Sequence, residues 1–194
     1  MTATAERILD IMQELIQARG FSAISYQHIA DALQVTKASI HYHFPTKSGL
    51  GTAVVRRYRQ RLMEVMQAVA AEDGRSTLEI LDLYSTPYLD FADTPDKVCL
   101  CGALAGEYMA LPAEMQGEVA GFFAEHQDWL ERLLERGRQR GDVAFDGPPA
   151  PMARLIFSAL QGGLLVKRTN GDIGQVRDVV AALKTCLAPA TQPA

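Results

Sequence analysis

The segment from Ser25 to Lys47, SYQHIADALQVTKASIHYHFPTK, places the strongest constraint on the fold of this chain. Ser25 and Thr36 suit helix N-termini, because their hydroxyl oxygens can accept a hydrogen bond from an unpaired backbone N–H. The apolar residues after Ser25 have helical spacing, and Pro45 cannot continue a helix that begins after Thr36. Two short helices joined by a tight turn are typical of a helix-turn-helix, whose second helix enters the major groove of DNA.

The predicted second helix carries side chains that suit DNA. Lys37 and Lys47 can neutralise phosphate groups. The hydroxyl groups of Thr36, Ser39 and Tyr42 can donate hydrogen bonds to phosphates or to base edges. On spacing alone, the alternative is a solvated helical hairpin that carries its lysines and histidines by chance.

The sequences RGFSAISYQHIADAL and VTKASIHYHFPTKSGL resemble the two halves of the DNA-binding signature of TetR-type transcriptional repressors, over roughly residues 5–55. The resemblance implies that the chain binds DNA and that Ser25 and Tyr26, at the start of the first of the two helices, bind a phosphate. It also implies direct DNA contacts from a larger set of side chains: Thr36, Lys37, Ser39, Tyr42, His43 and Lys47.

Two positions depart from the pattern of that family. His41 stands where the family usually has a tyrosine that contacts phosphate; an imidazole can still donate a hydrogen bond, so His41 stays among the DNA-binding candidates. Gln34 stands where the turn usually has glycine. If the backbone there requires a positive φ, glutamine is strained by about 1 kcal/mol.

The charge is distributed unevenly, although the net charge of −4 by itself argues against DNA binding. Residues 1–61 hold eight Lys and Arg against four Asp and Glu, a net charge of +4, whereas residues 62–194 have a net charge of −8. A basic patch on an acidic body is what phosphate binding requires. Half of the basic residues in the first part form one cluster, in which Arg56 and Arg57 either contact DNA or only solvate a helix face: Arg56, Arg57, Arg59 and Arg61.

No strand pattern occurs, so we predict an all-α protein. A three-helix helix-turn-helix head is expected at residues 1–48, a helical effector-binding and dimerisation body at residues 49–188, and a frayed tail at residues 189–194. Within the body we expect a helix at residues 98–110 and a Pro-rich loop at residues 147–151. Because no apolar stretch approaches about 18 residues and the N-terminus lacks a signal-peptide pattern, we expect a cytoplasmic protein without a transmembrane helix.

The last two predicted helices are strongly apolar, and glycines on the first of them allow another helix to approach closely. The residues alone leave an ordinary monomer core open. By resemblance to TetR-type repressors, these helices form a four-helix bundle with a second copy of the chain, and the two heads reach half-sites about one DNA turn apart. The interface candidates are Leu155, Leu160, Gly163, Leu164, Val176, Val180 and Leu183.

The middle of the body is rich in large polarisable side chains, which either fill a core or line a binding pocket. The resemblance implies an effector pocket here, and binding of the effector would shift the heads apart. Side chains that carry a polar atom are favoured as pocket lining, because that atom needs a partner when buried. The candidates are Tyr88, Cys101, Tyr108, His126 and Trp129.

The chain has three cysteines, an odd number that argues against a framework of structural disulfides. On a helix Cys99 and Cys101 point apart, which disfavours a mutual disulfide or a shared metal. A thiol near a helix N-terminus and close to Lys97 is expected to have a lowered pKa, and the alternative is a small buried apolar residue. The segment CLCGALAGE is similar to TetR-type regulators that respond to reactive aldehydes, quinones or acrylate-like compounds, which makes Cys101, ahead of Cys99, a candidate electrophile sensor; Cys186 is expected at an interface or on the surface.

The sequence contains no Gly-rich phosphate loop, nucleophile elbow, HExxH segment or paired metal ligands at useful spacing, so we expect no enzyme activity, cofactor or metal. Cys101 and His126 could pair as nucleophile and base, but no other feature supports that pair. We therefore expect a homodimeric repressor that binds a palindromic double-stranded DNA operator and a small-molecule or electrophilic effector. The alternative is a helical small-molecule-binding protein without a regulatory role.

Overall fold

The structure, a computed structural model, describes residues 2–71 and 74–189. Within these residues the chain is all-α, as predicted, and contains nine α-helices and one short 3-10 helix. In chain order the helices are α1 (Ala3–Arg19), α2 (Tyr26–Leu33), α3 (Lys37–His43), α4 (Lys47–Ala71), α5 (Thr77–Ala92), α6 (Leu100–Ala105), the 3-10 helix (Tyr108–Ala110), α7 (Ala113–Arg140), α8 (Pro149–Asn170) and α9 (Gly174–Leu187).

The chain divides into two compact units, to which α4 and α7 both contribute residues. The first unit consists of the described residues of Met1–Leu62 and Asp96–Phe122, and the second of those of Met63–Pro95 and Phe123–Ala194. Of the tail predicted at residues 189–194, residues 190–194 lie outside the described part of the chain.

In the first unit, α1 supports the helix-turn-helix. The hydroxyl of Thr2 accepts a hydrogen bond from the N–H of Ala5 at 3.3 Å and so caps α1. Apolar residues recur along α1 at helical spacing, and Ile8, Met12 and Ile16 have no exposed surface. Because α1 packs against α2, α3 and α6, its buried side chains form the base on which the two helices of the helix-turn-helix rest.

In the second unit, α5, α8 and α9 pack against one another. A buried cation on α8 binds the end of α5 and the segment that follows it: the Nζ of Lys167 donates to the carbonyl of Phe91 in the last turn of α5 and to those of Thr94 and Pro95 just after the helix. The last carbonyls of a helix carry a partial negative charge, so an ammonium group is a favourable partner for the Phe91 carbonyl, and the two further carbonyls complete its hydrogen bonds.

Two predicted segments differ in the structure. The helix expected at residues 98–110 is shorter, because Cys99 has a non-helical backbone, with φ −51° and ψ 133°, and Gly106 ends α6. The Pro-rich segment expected to be a loop at residues 147–151 instead begins α8 at Pro149. Proline is tolerated in a first turn, where the missing N–H would have no helical partner.

Candidate functional site

The helix α3 is fixed by its cap and by one buried side chain. Thr36 has an extended backbone, and its hydroxyl accepts a hydrogen bond from the N–H of Ser39 at 3.3 Å. Ile40 is the buried residue of α3. This arrangement anchors α3 through one face and leaves the opposite face in solvent.

The exposed face of α3 is polar and aromatic. Lys37 and His41 are exposed, while Ser39 and His43 are half-buried. Tyr42 is 84% exposed, and its ring meets that of His43 edge-on, with centroids 5.1 Å apart. A tyrosine this exposed contributes little to folding, but its hydroxyl and ring can contact a phosphate or a base.

Tyr26 does not have the exposed position that a phosphate contact requires. It is 9% exposed, and its hydroxyl donates to the carbonyl of Phe44 at 2.7 Å. His41 packs against its ring, with centroids 4.5 Å apart. The structure therefore corrects our expectation for the Tyr26 side chain, which holds α2 to the end of α3. Ser25 remains exposed, and its N–H donates to Nδ1 of His28 at 3.2 Å.

Lys47, at the start of α4, contacts two neutral groups and lies near one carboxylate. Its Nζ lies 4.3 Å from the ring centroid of Phe21 and donates to the carbonyl of Ser22 at 3.4 Å. Burial lowers the pKa of Lys47, and the nearby Glu107 carboxylate opposes that change. The ammonium is thus oriented before any ligand arrives.

The turn between α2 and α3 requires the conformation for which the family usually has glycine. Gln34 has φ 55° and ψ 44°, and among the described residues it alone has a positive φ without being a glycine. Its N–H donates to the carbonyls at the end of α2. The sequence-based expectation of a strained Gln34 is therefore confirmed.

Much of the arginine cluster is engaged in ion pairs inside the first unit. Arg57 is only 10% exposed in its side chain and pairs with Glu6 at 2.9 Å and with Asp10 at 2.8 Å. Arg56 and Arg59 pair with the half-buried Glu118 at 2.7 and 2.9 Å. These arginines join α4 to α1 and α7, which accounts for them without a DNA contact.

The thiol of Cys101 is buried, with no exposed surface. Burial raises its pKa well above the usual value, and the neighbouring Cys99 adds to that change. The expectation of a lowered thiol pKa is therefore wrong, because desolvation outweighs the weak field of the short helix α6. Cys99 is also buried and accepts a hydrogen bond from the hydroxyl of Tyr58 at 3.7 Å, whereas Cys186 is exposed.

The predicted effector residues fall into both units. Cys101 and Tyr108 belong to the first unit, and the other three belong to the second. In the second unit the ring of Tyr84 stacks on Trp129 with centroids 5.4 Å apart, and its hydroxyl lies 3.1 Å from Nδ1 of His126. Burial lowers the pKa of His126 to about 4, so the imidazole is neutral near pH 7.

Two polar residues with structural partners, one buried and one half-buried, were not singled out from the sequence. Gln161, on α8, donates from Nε2 to the hydroxyl of Tyr88 at 3.2 Å and so joins the aromatic cluster of the second unit. A lone amide within an apolar helical stretch is a signal that could have identified it. Glu118 pairs with two arginines of α4, and no local pattern in the sequence indicates that role.

The terminal helices present a narrower exposed surface than the sequence predicted. Leu155 is 52% exposed, and Leu165 and Val166 are also exposed on α8. Gly162 lies on the same side, and a Cβ at this position would meet no atom within 4 Å.

Three residues of the predicted interface are completely buried within the single chain: Leu160, Leu164 and Val176. They have no surface left for a partner, which corrects the prediction for these three residues. Gly163 is also buried, and a Cβ there would lie 3.5 Å from Val179. Val180 and Leu183 are half-buried and line a small cleft against α5 and α8.

Among the described residues, no cluster of three or more histidine, cysteine, aspartate or glutamate side chains could hold a metal ion. None of the described helices combines the length and apolar character needed to cross a membrane.

Comparison with known protein families agrees with this architecture. Residues 8–54 match the model of bacterial regulatory proteins of the tetR family, and residues 77–183 match the tetracyclin repressor-like C-terminal domain. The chain belongs to the TetR family. TetR-family regulators bind DNA operators, and they typically form dimers and bind small-molecule effectors.

Two relatives that match nearly the whole chain are transcriptional repressors. The HTH-type transcriptional repressor NemR of Escherichia coli is 24% identical over 190 residues, which cover 95% of this chain and 94% of NemR. The repressor DhaR of a Mycobacterium species is 21% identical over 92% of this chain and 91% of its own length. A TetR-family regulator of known structure from Agrobacterium tumefaciens is 30% identical, has a TM-score of 0.89, and matches over 96% of this chain and 98% of its own.

Proposed function

We propose that this TetR-family repressor binds its operator as a homodimer through the exposed face of α3, and that residues 1–48 are the DNA-binding domain. The observation that carries the proposal is the contrast within α3: Ile40 is buried, while Lys37 and Tyr42 point into solvent. The proposed DNA contacts are those of Ser25, Thr36, Lys37, Ser39, His41, Tyr42, His43 and Lys47.

A test of the DNA-binding surface is fluorescence anisotropy with a labelled fragment from the gene's upstream region. Lys37→Ala should weaken binding and reduce the slope of log affinity against log salt by about 0.9 for each phosphate that is no longer neutralised. Tyr42→Ala should also weaken binding. Arg132→Ala removes one exposed positive charge from α7 and serves as the matched control. Equal effects of Lys37→Ala and Arg132→Ala would contradict the assignment of α3.

Residues 49–188 are proposed to form the effector-binding and dimerisation domain, with α8 and α9 at the interface. The support is the exposed apolar stripe of Leu155, Leu165 and Val166, because surface apolar residues in line along a helix are typical of an interface. Gly162 within this stripe would allow a second helix to approach closely. In such a dimer, each of the two DNA-binding heads would bind one half-site of the operator, with the half-sites about one DNA turn apart.

Sedimentation measures the proposed dimer directly. Leu165→Glu should shift the protein towards monomer and weaken operator binding, since a single head reaches only one half-site. Val65→Glu places the same charge on an exposed apolar residue of α4 and should leave the dimer intact. A dimer unchanged by Leu165→Glu would place the interface elsewhere.

The effector is proposed to be a small molecule that acts on the aromatic cluster of Tyr84, Tyr88, His126 and Trp129. The support is the presence of hydroxyl, imidazole and indole groups within one buried cluster, where a ligand could exchange hydrogen bonds with them. Trp129 is the single tryptophan of the chain, so its fluorescence reports on this cluster alone.

An electrophile acting on Cys101 is the second candidate, carried by the similarity of CLCGALAGE to electrophile-responsive regulators. Burial and a raised pKa make this thiol unreactive until the surrounding helices open. DNA release by a mild electrophile from the wild type but not from Cys101→Ser would support the thiol. Release of neither, with DNA binding intact, would leave the non-covalent site, to be tested by ligand quenching of Trp129.

A further inference from the structure

Glu107, between α6 and the 3-10 helix, reaches a loop that is 85 residues away in the sequence. Its Oε2 accepts a hydrogen bond from the N–H of Ser22 at 2.8 Å. Its other oxygen lies over the Cα of Gly20, where any Cβ would collide with the carboxylate. Gly20 also has φ 79°, so glycine suits this position both by its conformation and by the space that it leaves.

The same loop binds Lys47 from its other side. The carbonyl of Ser22 accepts from the Lys47 Nζ at 3.4 Å, and the ring of Phe21 lies beneath the ammonium at 4.3 Å from its centroid. The loop of residues 20–22 is therefore held by Glu107 through the N–H of Ser22 and in turn holds Lys47 through the carbonyl of Ser22. The carboxylate also lies close enough to Lys47 to oppose the fall in its pKa that burial causes.

We propose that Glu107 is a positioning residue for DNA binding: it fixes the loop of residues 20–22, which presents the Lys47 ammonium to a phosphate. The inference rests on the proposed contact between Lys47 and DNA. Glu107 lies two residues after the end of α6, so a displacement of α6 would release this support and weaken the Lys47 contact without any change in α3.

Positioning and charge have opposite effects and can be separated. A carboxylate near the DNA repels phosphate, so loss of its charge alone should strengthen binding, most clearly at low salt. Loss of the hydrogen-bond acceptor should weaken binding because the loop is released. Glu107→Gln keeps an acceptor oxygen without the charge and should bind the operator as tightly as the wild type or more tightly. Glu107→Ala removes both and should bind more weakly.

The test is a double-mutant cycle on operator affinity, measured by anisotropy at several salt concentrations with Glu107→Ala, Lys47→Ala and the double variant. We expect Glu107→Ala to weaken binding by about threefold to tenfold and to reduce the salt slope by up to about 0.9 for each phosphate that Lys47 no longer neutralises. In the Lys47→Ala background the same substitution should change affinity by less than about twofold, because the side chain through which it acts is already absent. Glu114→Ala, which removes an exposed carboxylate from α7 in the same unit, controls for charge.

The outcomes separate the role of Glu107 from that of Lys47. Suppose that Lys47→Ala weakens operator binding. If Glu107→Ala then weakens binding equally with and without Lys47, or does not weaken it at all, the positioning role is overturned while the Lys47 contact stands. If Lys47→Ala changes neither affinity nor salt slope, the proposed Lys47 contact fails and the inference fails with it. A Glu107→Gln variant as weak as Glu107→Ala would also overturn the inference, since an acceptor at this position would then have no effect.

Discussion

Replacement of Gln34 by glycine should stabilise the protein, although it removes a side chain. Gln34 ends α2 with φ 55° and ψ 44°, inside the left-handed region that residues with a Cβ avoid. Its side chain is exposed, so its removal disturbs little packing. Its N–H donates to carbonyls at the end of α2, and glycine keeps that backbone bond.

The expected gain is the difference between two backbone effects. The left-handed conformation costs a residue with a Cβ about 1–2 kcal/mol, and glycine avoids this cost. Glycine loses more conformational entropy on folding, which takes back about 0.5–1 kcal/mol. The net stabilisation is about 0.5–1 kcal/mol, which for a chain of this size raises the melting temperature by about 1–4 °C.

Thermal and urea unfolding at equal protein concentration measure this gain, because any dimer makes stability depend on concentration. Gln34→Ala is the matched control: it also removes the exposed side chain but keeps the Cβ, so its stability should stay close to that of the wild type. Equal stabilisation by Gly and Ala, or no gain from Gly, would refute the explanation by backbone strain.

The remaining predictions concern the buried interior. Because burial lowers the pKa of His126 to about 4, the unfolded chain binds more protons than the folded protein below pH 6.5. The stability that the neutral imidazole contributes is therefore complete above pH 6.5, and up to about 3 kcal/mol of it is lost as the pH falls towards 4. His126→Gln should flatten this pH dependence of the free energy of unfolding in urea. Lys167→Met leaves three carbonyls of the second unit without their buried ammonium and should destabilise the protein by about 2–3 kcal/mol. The control Lys184→Met removes an exposed ion pair and should cost less than about 1 kcal/mol. Similar losses of stability in the two variants would contradict the role of Lys167 as partner of these carbonyls. Gly51→Ala places a Cβ 2.6 Å from a side-chain sulfur and should destabilise by about 1–2 kcal/mol in thermal unfolding, while Gly117→Ala on α7 meets no atom within 4 Å and should stabilise by up to about 1 kcal/mol.

Local chemistry accounts for the parts of the structure that were predictable. The cap at Thr36 and the break at Pro45 depend on the nearest few residues, so α3 lies where the sequence predicted it. The positive φ of Gln34 was anticipated only through the resemblance to TetR-type repressors, which usually have glycine at this position of the turn. The short α6 was missed because Cys99 adopts a non-helical conformation, and a regular apolar pattern does not reveal that.

Burial decided the outcome where the sequence analysis failed. Cys101 follows a helix start and lies near a lysine in sequence, which predicts a reactive thiol, but the packing of the first unit encloses it completely. Lys97 is engaged with Glu14 at 3.7 Å. Tyr26 has the position of a phosphate contact in the family pattern, and yet its hydroxyl is bound to the carbonyl of Phe44. Each of these outcomes depends on residues distant in sequence, which no local pattern contains.

The basic residues within residues 1–61 have two different roles, which depend on the groups that each of them contacts in the folded protein. Arg57 lies between two carboxylates of α1, so its charge is already neutralised inside the first unit. Lys47 instead rests on an aromatic face and a carbonyl, which orient the ammonium. The nearby Glu107 carboxylate binds the N–H of Ser22, so the charge of Lys47 is less completely neutralised than that of Arg57 and can attract a phosphate. A count of charges treats these two residues as equivalent. Their neighbours distinguish them, and for this reason we assign the electrostatic part of operator binding to Lys47 and the lysine of α3 and not to the arginine cluster of α4.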